Sequence, residues 1–147
     1  MENIYNCILN KLGEFLPSNW NKLILYADIE ENSYEINFYV YLNGNDKAIN
    51  GYDLQFIDED ELDDSIDDIY EMFKQNLDEL KLKGEPCWKT ATFVLDRDNI
   101  IKSDYGYESI EDIYEFKTIW KYKYLGITPQ KDNKIAYDIV KDYIDKN

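Results

Sequence analysis

Residues 23–42 read LILYADIEENSYEINFYVYL, two runs of alternating apolar side chains that are joined by a turn at residues 31–33. Apolar side chains at every second position are typical of strands that bury one face, so this segment predicts an antiparallel hairpin. One face carries leucine, isoleucine, phenylalanine and valine, and we expect it to line the core. The opposite face carries Tyr26, Tyr39 and Tyr41 together with acidic and amide side chains.

Outside the hairpin, helical and strand-like patterns follow one another. Apolar residues recur every three or four positions in residues 4–16 and 58–83, which indicates amphipathic helices. The remaining segments are an ambiguous stretch at 46–56, strands at 88–95 and 100–107, a helix capped by Ser109, and a short terminal helix at 135–144.

This order of elements indicates the fold class. Short turns between consecutive strands favour antiparallel pairing. We therefore expect an α+β fold, in which a mainly antiparallel sheet is packed by helices in the order helix, strands, helix, strands, helices. A chain of 147 residues fits one compact domain, so residues 1–147 are predicted to form a single domain.

The composition restricts the chemistry that the protein can perform. Acidic residues outnumber basic residues 31 to 16, and the net charge of −15 would repel nucleic acid and an anionic membrane surface. Histidine is absent, Arg97 is the single arginine, and the two cysteines lie far apart, which excludes histidine catalysis, arginine clamps and cysteine metal sites. We expect a cytoplasmic protein that is not an enzyme and has no cofactor, metal, signal peptide or membrane span.

The negative charge is concentrated in one segment. Residues 58–68 read DEDELDDSIDD and contain eight acidic residues and no basic residue. Acids in a first helical turn interact favourably with the helix dipole, but the later aspartates lie beyond that turn and repel one another. A solvated helix start and a docking surface for a basic partner both remain possible, whereas a calcium loop would need a central glycine. The candidate partner-binding residues are Asp58, Asp60, Asp63, Asp64, Asp67 and Asp68.

The tyrosines form a second candidate surface. The chain has 14 of them, and Tyr26, Tyr39 and Tyr41 are predicted to share the hairpin face that lies opposite the core. Tyrosine presents a rigid ring with one polar group, and it is enriched at protein interfaces. These three rings are therefore candidate partner-binding residues, unless a helix covers this face and makes them part of a half-buried core.

Several motifs occur in a characteristic order along the chain. They are LP at 16–17 followed by Trp20 and LILYA at 23–27, the aromatic strand 34–41, EPCW at 85–88 followed by FVL at 93–95 and DYGYE at 104–108, and IWKYKYLGI at 119–127 followed by Pro129. In this order and spacing the motifs resemble the YezG-like antitoxins, and the similarity covers nearly the whole chain.

The resemblance implies a small immunity protein against a secreted nuclease toxin of Gram-positive bacteria. Such a protein would bind the nuclease (DNase) domain of its cognate toxin in the cytoplasm of the producing cell or its kin, and would block DNA cleavage until secretion. An acidic and aromatic surface fits this role, because a nuclease that holds a polyanion has a basic cleft. The resemblance does not identify the contact residues, and an acidic adaptor for another basic partner is the alternative.

Overall fold

Five β-strands form one antiparallel sheet in the computed structural model, which describes residues 3–147. The strands are β1 (Trp20–Ile29), β2 (Tyr34–Leu42), β3 (Ile49–Asn50), β4 (Thr90–Leu95) and β5 (Ile100–Gly106). Their order across the sheet is β3-β2-β1-β4-β5. The expected hairpin is the β1–β2 pair, and its register sets Leu25 opposite Phe38 and Tyr26 opposite Asn37, which confirms the predicted division into two faces.

Four helices are present in the described part of the chain, in the predicted order of elements. They are α1 (Ile4–Leu12), α2 (Glu59–Leu82), α3 (Ile113–Leu125) and α4 (Lys134–Lys146). Short 3-10 turns follow α1 at Gly13–Phe15 and precede α2 at Gly51–Asp53. The predicted α+β class and the antiparallel sheet are therefore confirmed.

The chain divides into two compact units, Met1–Glu108 and Ser109–Asn147. The first unit contains the sheet, α1 and α2, and the second contains α3 and α4. The single domain over residues 1–147 stays a prediction. No helix within residues 3–147 combines the length and the apolar composition that crossing a membrane requires.

The core of the first unit lies between one face of the sheet and the helices α1 and α2. Phe38 of β2, Phe93 of β4 and Phe73 of α2 belong to one buried cluster, in which the Phe73 and Phe93 rings stack with centroids 5.7 Å apart. Burying a side chain of this kind stabilises the fold by roughly 1.5–3 kcal/mol relative to leaving it exposed. The buried residues of α2 that fix it to the sheet are Leu62, Ile66, Ile69 and Phe73.

Each end of α2 carries a residue type that commonly begins or ends a helix. The carboxylate of Asp58, which precedes the helix, accepts hydrogen bonds from the backbone N–H groups of Asp60 at 3.1 Å and Glu61 at 3.2 Å. Gly84 follows the helix with a φ of +70°, a left-handed conformation that glycine adopts without strain. The helix predicted at 58–83 is confirmed to within one residue at each end.

In the second unit, the start of α3 differs from the prediction. Its N-cap is Asp112 and not Ser109, because the Asp112 carboxylate accepts a hydrogen bond from the backbone N–H of Glu115 at 3.1 Å. Aspartate and serine cap helices about equally well, and the pair Asp112 and Glu115 has the spacing of a capping box. The sequence therefore contained two acceptable starts, and the later one is used.

Candidate functional site

Six aspartates in and just before the N-terminal half of α2 are all exposed to solvent. They are Asp58, Asp60, Asp63, Asp64, Asp67 and Asp68, which we name the acidic surface. Because Leu62, Ile66 and Ile69 of the same helix are buried against the sheet, the aspartates between them must face the solvent. The structure therefore brings the six acids predicted from the sequence together on one side of one helix.

Two of these aspartates have partners inside the protein. The Tyr52 hydroxyl donates a hydrogen bond to Asp63 Oδ1 at 2.5 Å, and Lys11 Nζ lies 3.1 Å from Asp68 Oδ2. Burial of the Tyr52 ring, and after it the hydrogen bond to Asp63, raise the pKa of Tyr52 above its ordinary value. The phenol therefore stays protonated at physiological pH and serves as a donor to the carboxylate.

Within residues 3–147, the other aspartates of the acidic surface have no cation at ion-pair distance. Asp60, Asp64 and Asp67 form no ion pair with any residue that the structure describes. In the second unit seven lysines balance seven acids, so the net charge of −15 belongs entirely to the first unit. The acidic surface therefore contributes to a negative field that attracts basic partners over a Debye length, roughly 10 Å at 0.1 M salt.

A close contact fixes the segment that leads into α2. A Cβ atom at Gly51 would overlap the ring of Phe38, so a residue with a side chain fits there only if this core ring moves. Next to it, Asn50 Oδ1 accepts a hydrogen bond from the backbone N–H of Tyr52 at 3.0 Å. These contacts hold Tyr52 beside α2, where its hydroxyl reaches Asp63.

A cavity of about 700 Å³ lies beside the start of α2, and we name it the α2 cavity. Phe15, Leu16 and Leu54 are among its apolar lining residues. The charged residues of the lining are all acidic. The α2 cavity therefore combines an apolar wall with a negative charge that continues the acidic surface.

Phe56 belongs to the lining of the α2 cavity, yet its side chain is fully exposed to solvent. Its φ of +61° is a left-handed backbone conformation that is unfavourable for a bulky residue. A non-glycine residue held there costs of order 1–3 kcal/mol. Phe56 was not among the residues predicted from the sequence. It lies in the ambiguous stretch 46–56, and no local pattern predicts a positive φ at a phenylalanine.

The predicted tyrosines lie on the face of the sheet opposite α2, and we name this the tyrosine face. Tyr26 is 4% exposed, and Tyr39 and Tyr41 are half-buried. Burial raises the pKa of all three phenols, and Lys22 Nζ lies 5.0 Å from the centroid of the Tyr41 ring. The structure does not join these rings and the acidic surface into one patch, and the partner contact of the three tyrosines stays a prediction.

The acids do not form a metal centre in the part of the chain that the structure describes. Within residues 3–147, no group of three or more cysteine, aspartate or glutamate side chains is arranged to hold a metal ion. The two cysteines are not joined by a disulfide, and Cys7 is buried whereas Cys87 is exposed. The carboxylates of α2 point outward along a helix, an arrangement that suits extended contact with basic side chains.

The sequence is similar to known proteins along almost its whole length. A family model described as immunity protein YezG-like matches residues 1–137. The chain is 30% identical to immunity protein YezG of Bacillus spizizenii, with 100% of this chain and 94% of that protein covered. It is 29% identical to immunity protein YezG of Bacillus subtilis, with 90% and 93% covered. It is 27% identical to the type VII secretion system protein EsaG of Staphylococcus aureus, with 92% and 87% covered.

Proposed function

The chain belongs to the YezG-like immunity protein family, and on this basis we propose that it binds and inhibits the nuclease domain of a secreted bacterial toxin. The inhibition is stoichiometric: the protein blocks the cleft in which the nuclease holds DNA and performs no reaction itself. It acts in the cytoplasm of the cell that makes the toxin, before the toxin is secreted. The cognate toxin is thus its partner, and DNA is the ligand that it keeps out.

The acidic surface is the observation that supports this target most directly. A nuclease holds a polyanionic backbone, so its cleft presents lysine and arginine side chains. Asp60, Asp64 and Asp67 are exposed carboxylates without an ion pair in the described chain, and they can pair with those cations. Charge complementarity of this kind raises the association rate and selects basic partners over others.

The fold also holds the acids in position before a partner arrives. The buried stripe of α2 fixes the helix to the sheet, so Asp60, Asp64 and Asp67 stand in a row on its exposed side, spaced by roughly one helical turn of 5.4 Å. A row on a rigid helix loses little backbone freedom on binding, whereas acids on a flexible loop would lose more. This preorganisation supports tight as well as fast binding.

The tyrosine face contributes contact area to binding, whereas the acidic surface contributes charge. Tyr39 and Tyr41 keep part of their rings exposed on the side of the sheet away from α2. A toxin domain that contacts both surfaces has to extend around an edge of the sheet. In that arrangement the rings supply desolvated contact area, which slows dissociation, while the acids speed association.

Co-expression tests the proposal. The C-terminal domain of the secreted toxin encoded beside this protein, expressed alone, is expected to arrest growth of a bacterial host. Expression of the full immunity chain with it is expected to restore growth and to yield a complex that co-purifies. With purified components, the toxin domain should cut supercoiled plasmid, and an equimolar amount of the immunity protein should leave the plasmid intact.

Two outcomes separate the parts of the proposal. Protection and complex formation with a toxin domain that does not cut DNA would remove the nuclease target and keep the immunity role. Failure to bind or to protect would contradict the proposal, and it would favour the alternative of an acidic adaptor for another basic protein. An unrelated immunity protein expressed at the same level serves as the control.

A further inference from the structure

We infer that the α2 cavity and Phe56 together form the docking site for a basic segment of the toxin that inserts an apolar side chain. This inference rests on the proposed function, because the occupant is a part of the toxin. It adds the position of the contact and the chemistry of the segment that fills it.

The lining of the α2 cavity selects the charge of its occupant. Its charged residues are all acidic: Glu14, Asp53, Asp58 and Glu61. The carboxylate of Asp58 already accepts hydrogen bonds from the first-turn N–H groups of α2, so these donors are not available to a phosphate or a carboxylate. An anionic ligand would therefore meet four carboxylates, whereas lysine or arginine side chains would neutralise them.

The size and polarity of the α2 cavity indicate that the toxin segment carries an apolar side chain next to its lysine or arginine side chains. Its volume of about 700 Å³ lies within the range of cavities that hold ligands, which is roughly 300–1,000 Å³. Phe15, Leu16 and Leu54 provide apolar wall, and Leu54 is itself buried. A segment of alternating basic and apolar character satisfies both parts of the lining.

Phe56 is placed to act as the protein's own anchor in this contact. Leu54 is buried two residues before it, and Asp58 caps α2 two residues after it. Both neighbours are thus fixed, and the ring between them stays in solvent although its backbone is in an unfavourable conformation. Phenylalanine, like tyrosine and tryptophan, is enriched in protein interfaces, where a partner covers the ring.

Charge also argues against a second copy of this chain as the occupant. The first unit carries the whole net charge of −15, so two α2 cavities brought together would place carboxylates against carboxylates. Like charges in contact oppose association by several kcal/mol. A basic polypeptide segment meets no such repulsion.

The substitution Phe56→Asn in the full chain tests the anchor. Asparagine adopts a positive φ more readily than phenylalanine, so the variant keeps the fold and loses only the ring. We expect the dissociation constant for the toxin domain to rise about 30-fold and the melting temperature to stay equal or increase. Leu82→Asn is the matched control, because Leu82 is another strongly exposed apolar residue, at the far end of α2. It should change the constant less than about twofold.

A second variant tests the charge of the lining. Glu14→Gln, Asp53→Asn and Glu61→Gln together remove three carboxylates and leave the Asp58 cap in place. We expect association with the toxin domain at low salt to slow about tenfold, and the difference from the unmodified protein to shrink as salt rises.

The outcomes distinguish this inference from the proposed function. If the unmodified protein protects against the toxin and the Phe56→Asn variant binds equally well, the docking site is overturned and the proposed function stands. If the unmodified protein neither binds nor protects, the proposed function fails and the inference falls with it. Sedimentation equilibrium tests whether a second copy of this chain occupies the α2 cavity. A dimer that Phe56→Asn abolishes would assign the α2 cavity to self-association and overturn the inference.

Discussion

The acidic surface of α2 and the tyrosine face of the sheet belong to the same unit, but they are built differently. The acidic surface is the solvent side of a helix whose other side is buried, so all of its aspartates stay exposed. The tyrosine face is one side of a sheet in which Tyr26 is buried and Tyr39 and Tyr41 are half-buried. The two surfaces lie on opposite sides of the same strands.

This difference indicates what each surface can contribute to binding. Exposed charge acts at a distance and changes how fast a partner arrives. Half-buried rings act only in contact and change how long the partner stays. Association and dissociation rates, measured separately, can therefore distinguish the two surfaces.

Charge reversal on α2 should have the largest effect on the association rate. With Asp63, Asp64, Asp67 and Asp68 changed to lysine, we expect association with the toxin domain at low salt to slow at least about tenfold, because the steering field is reversed. Lysine has a higher helix propensity than aspartate, so α2 should remain helical. Stopped-flow measurements at several salt concentrations give the rate, and circular dichroism checks the helix.

The second unit supplies a control with the same change in net charge. Its aspartates after residue 116 are Asp132, Asp138, Asp142 and Asp145. Their reversal to lysine should slow association less than about threefold. Equal slowing by the two variants would mean that only the net charge matters, and the acidic surface would lose its assignment as the docking surface.

A smaller effect is expected from the tyrosine face. Replacing Tyr39 and Tyr41 by threonine preserves strand propensity and removes both rings. We expect dissociation of the toxin complex to become about fivefold faster and association to change less than about twofold, because no charge is altered. Surface plasmon resonance measures both rates, with Ile101→Thr on β5 as the control for an exposed strand residue. An unchanged dissociation rate would assign the rings to packing within the protein.

The smallest effect concerns Tyr52, a tyrosine on the acidic side. Tyr52→Phe removes the hydrogen bond to Asp63 and should lower the free energy of unfolding by less than about 1 kcal/mol at neutral pH, since the bond is partly solvent-exposed. Urea denaturation measures this change, with Tyr114→Phe as the control. A larger loss would indicate that the contact helps to fix α2.

The raised pKa of Tyr52 also gives a dependence on pH with a definite sign. Below the ordinary tyrosine pKa of 10.0 the phenol of Tyr52 is neutral in the folded and in the unfolded chain. The neutral phenol then contributes its full stabilisation to the folded state. Above it the unfolded chain ionises first, so the free energy of unfolding falls as the pH rises. The Tyr52→Phe variant should show a shallower decline above pH 10 than the unmodified protein, and an identical decline would contradict the assigned environment.

Much of the fold could be predicted because its signals are local. The alternation in residues 23–42 defines the β1–β2 hairpin and its faces, and the apolar period with its caps defines α2. The cap of α3 could not be chosen in the same way, since Ser109 and Asp112 are about equally good caps. Near-equal local alternatives are decided by the packing around them.

The candidate site was predictable in part. The acids of α2 are exposed as their spacing indicates, but the acidic and aromatic surface expected from the sequence is divided, because α2 and the three tyrosines lie on opposite faces of the sheet. Phe56 could not be found, because its positive φ depends on contacts made elsewhere, and residues 46–56 have no period. The α2 cavity likewise depends on Phe15 and Leu42, which are distant in sequence.

The contact between Gly51 and the Phe38 ring has a consequence for the evolution of these proteins. A mutation that adds a side chain at position 51 requires the Phe38 ring to move or a smaller residue to replace it, so the two positions are expected to covary among homologues. A lineage that altered this pair would also displace Tyr52 and the segment before α2. Toxin specificity could then diverge through an interior substitution, without any change in a residue that touches the toxin.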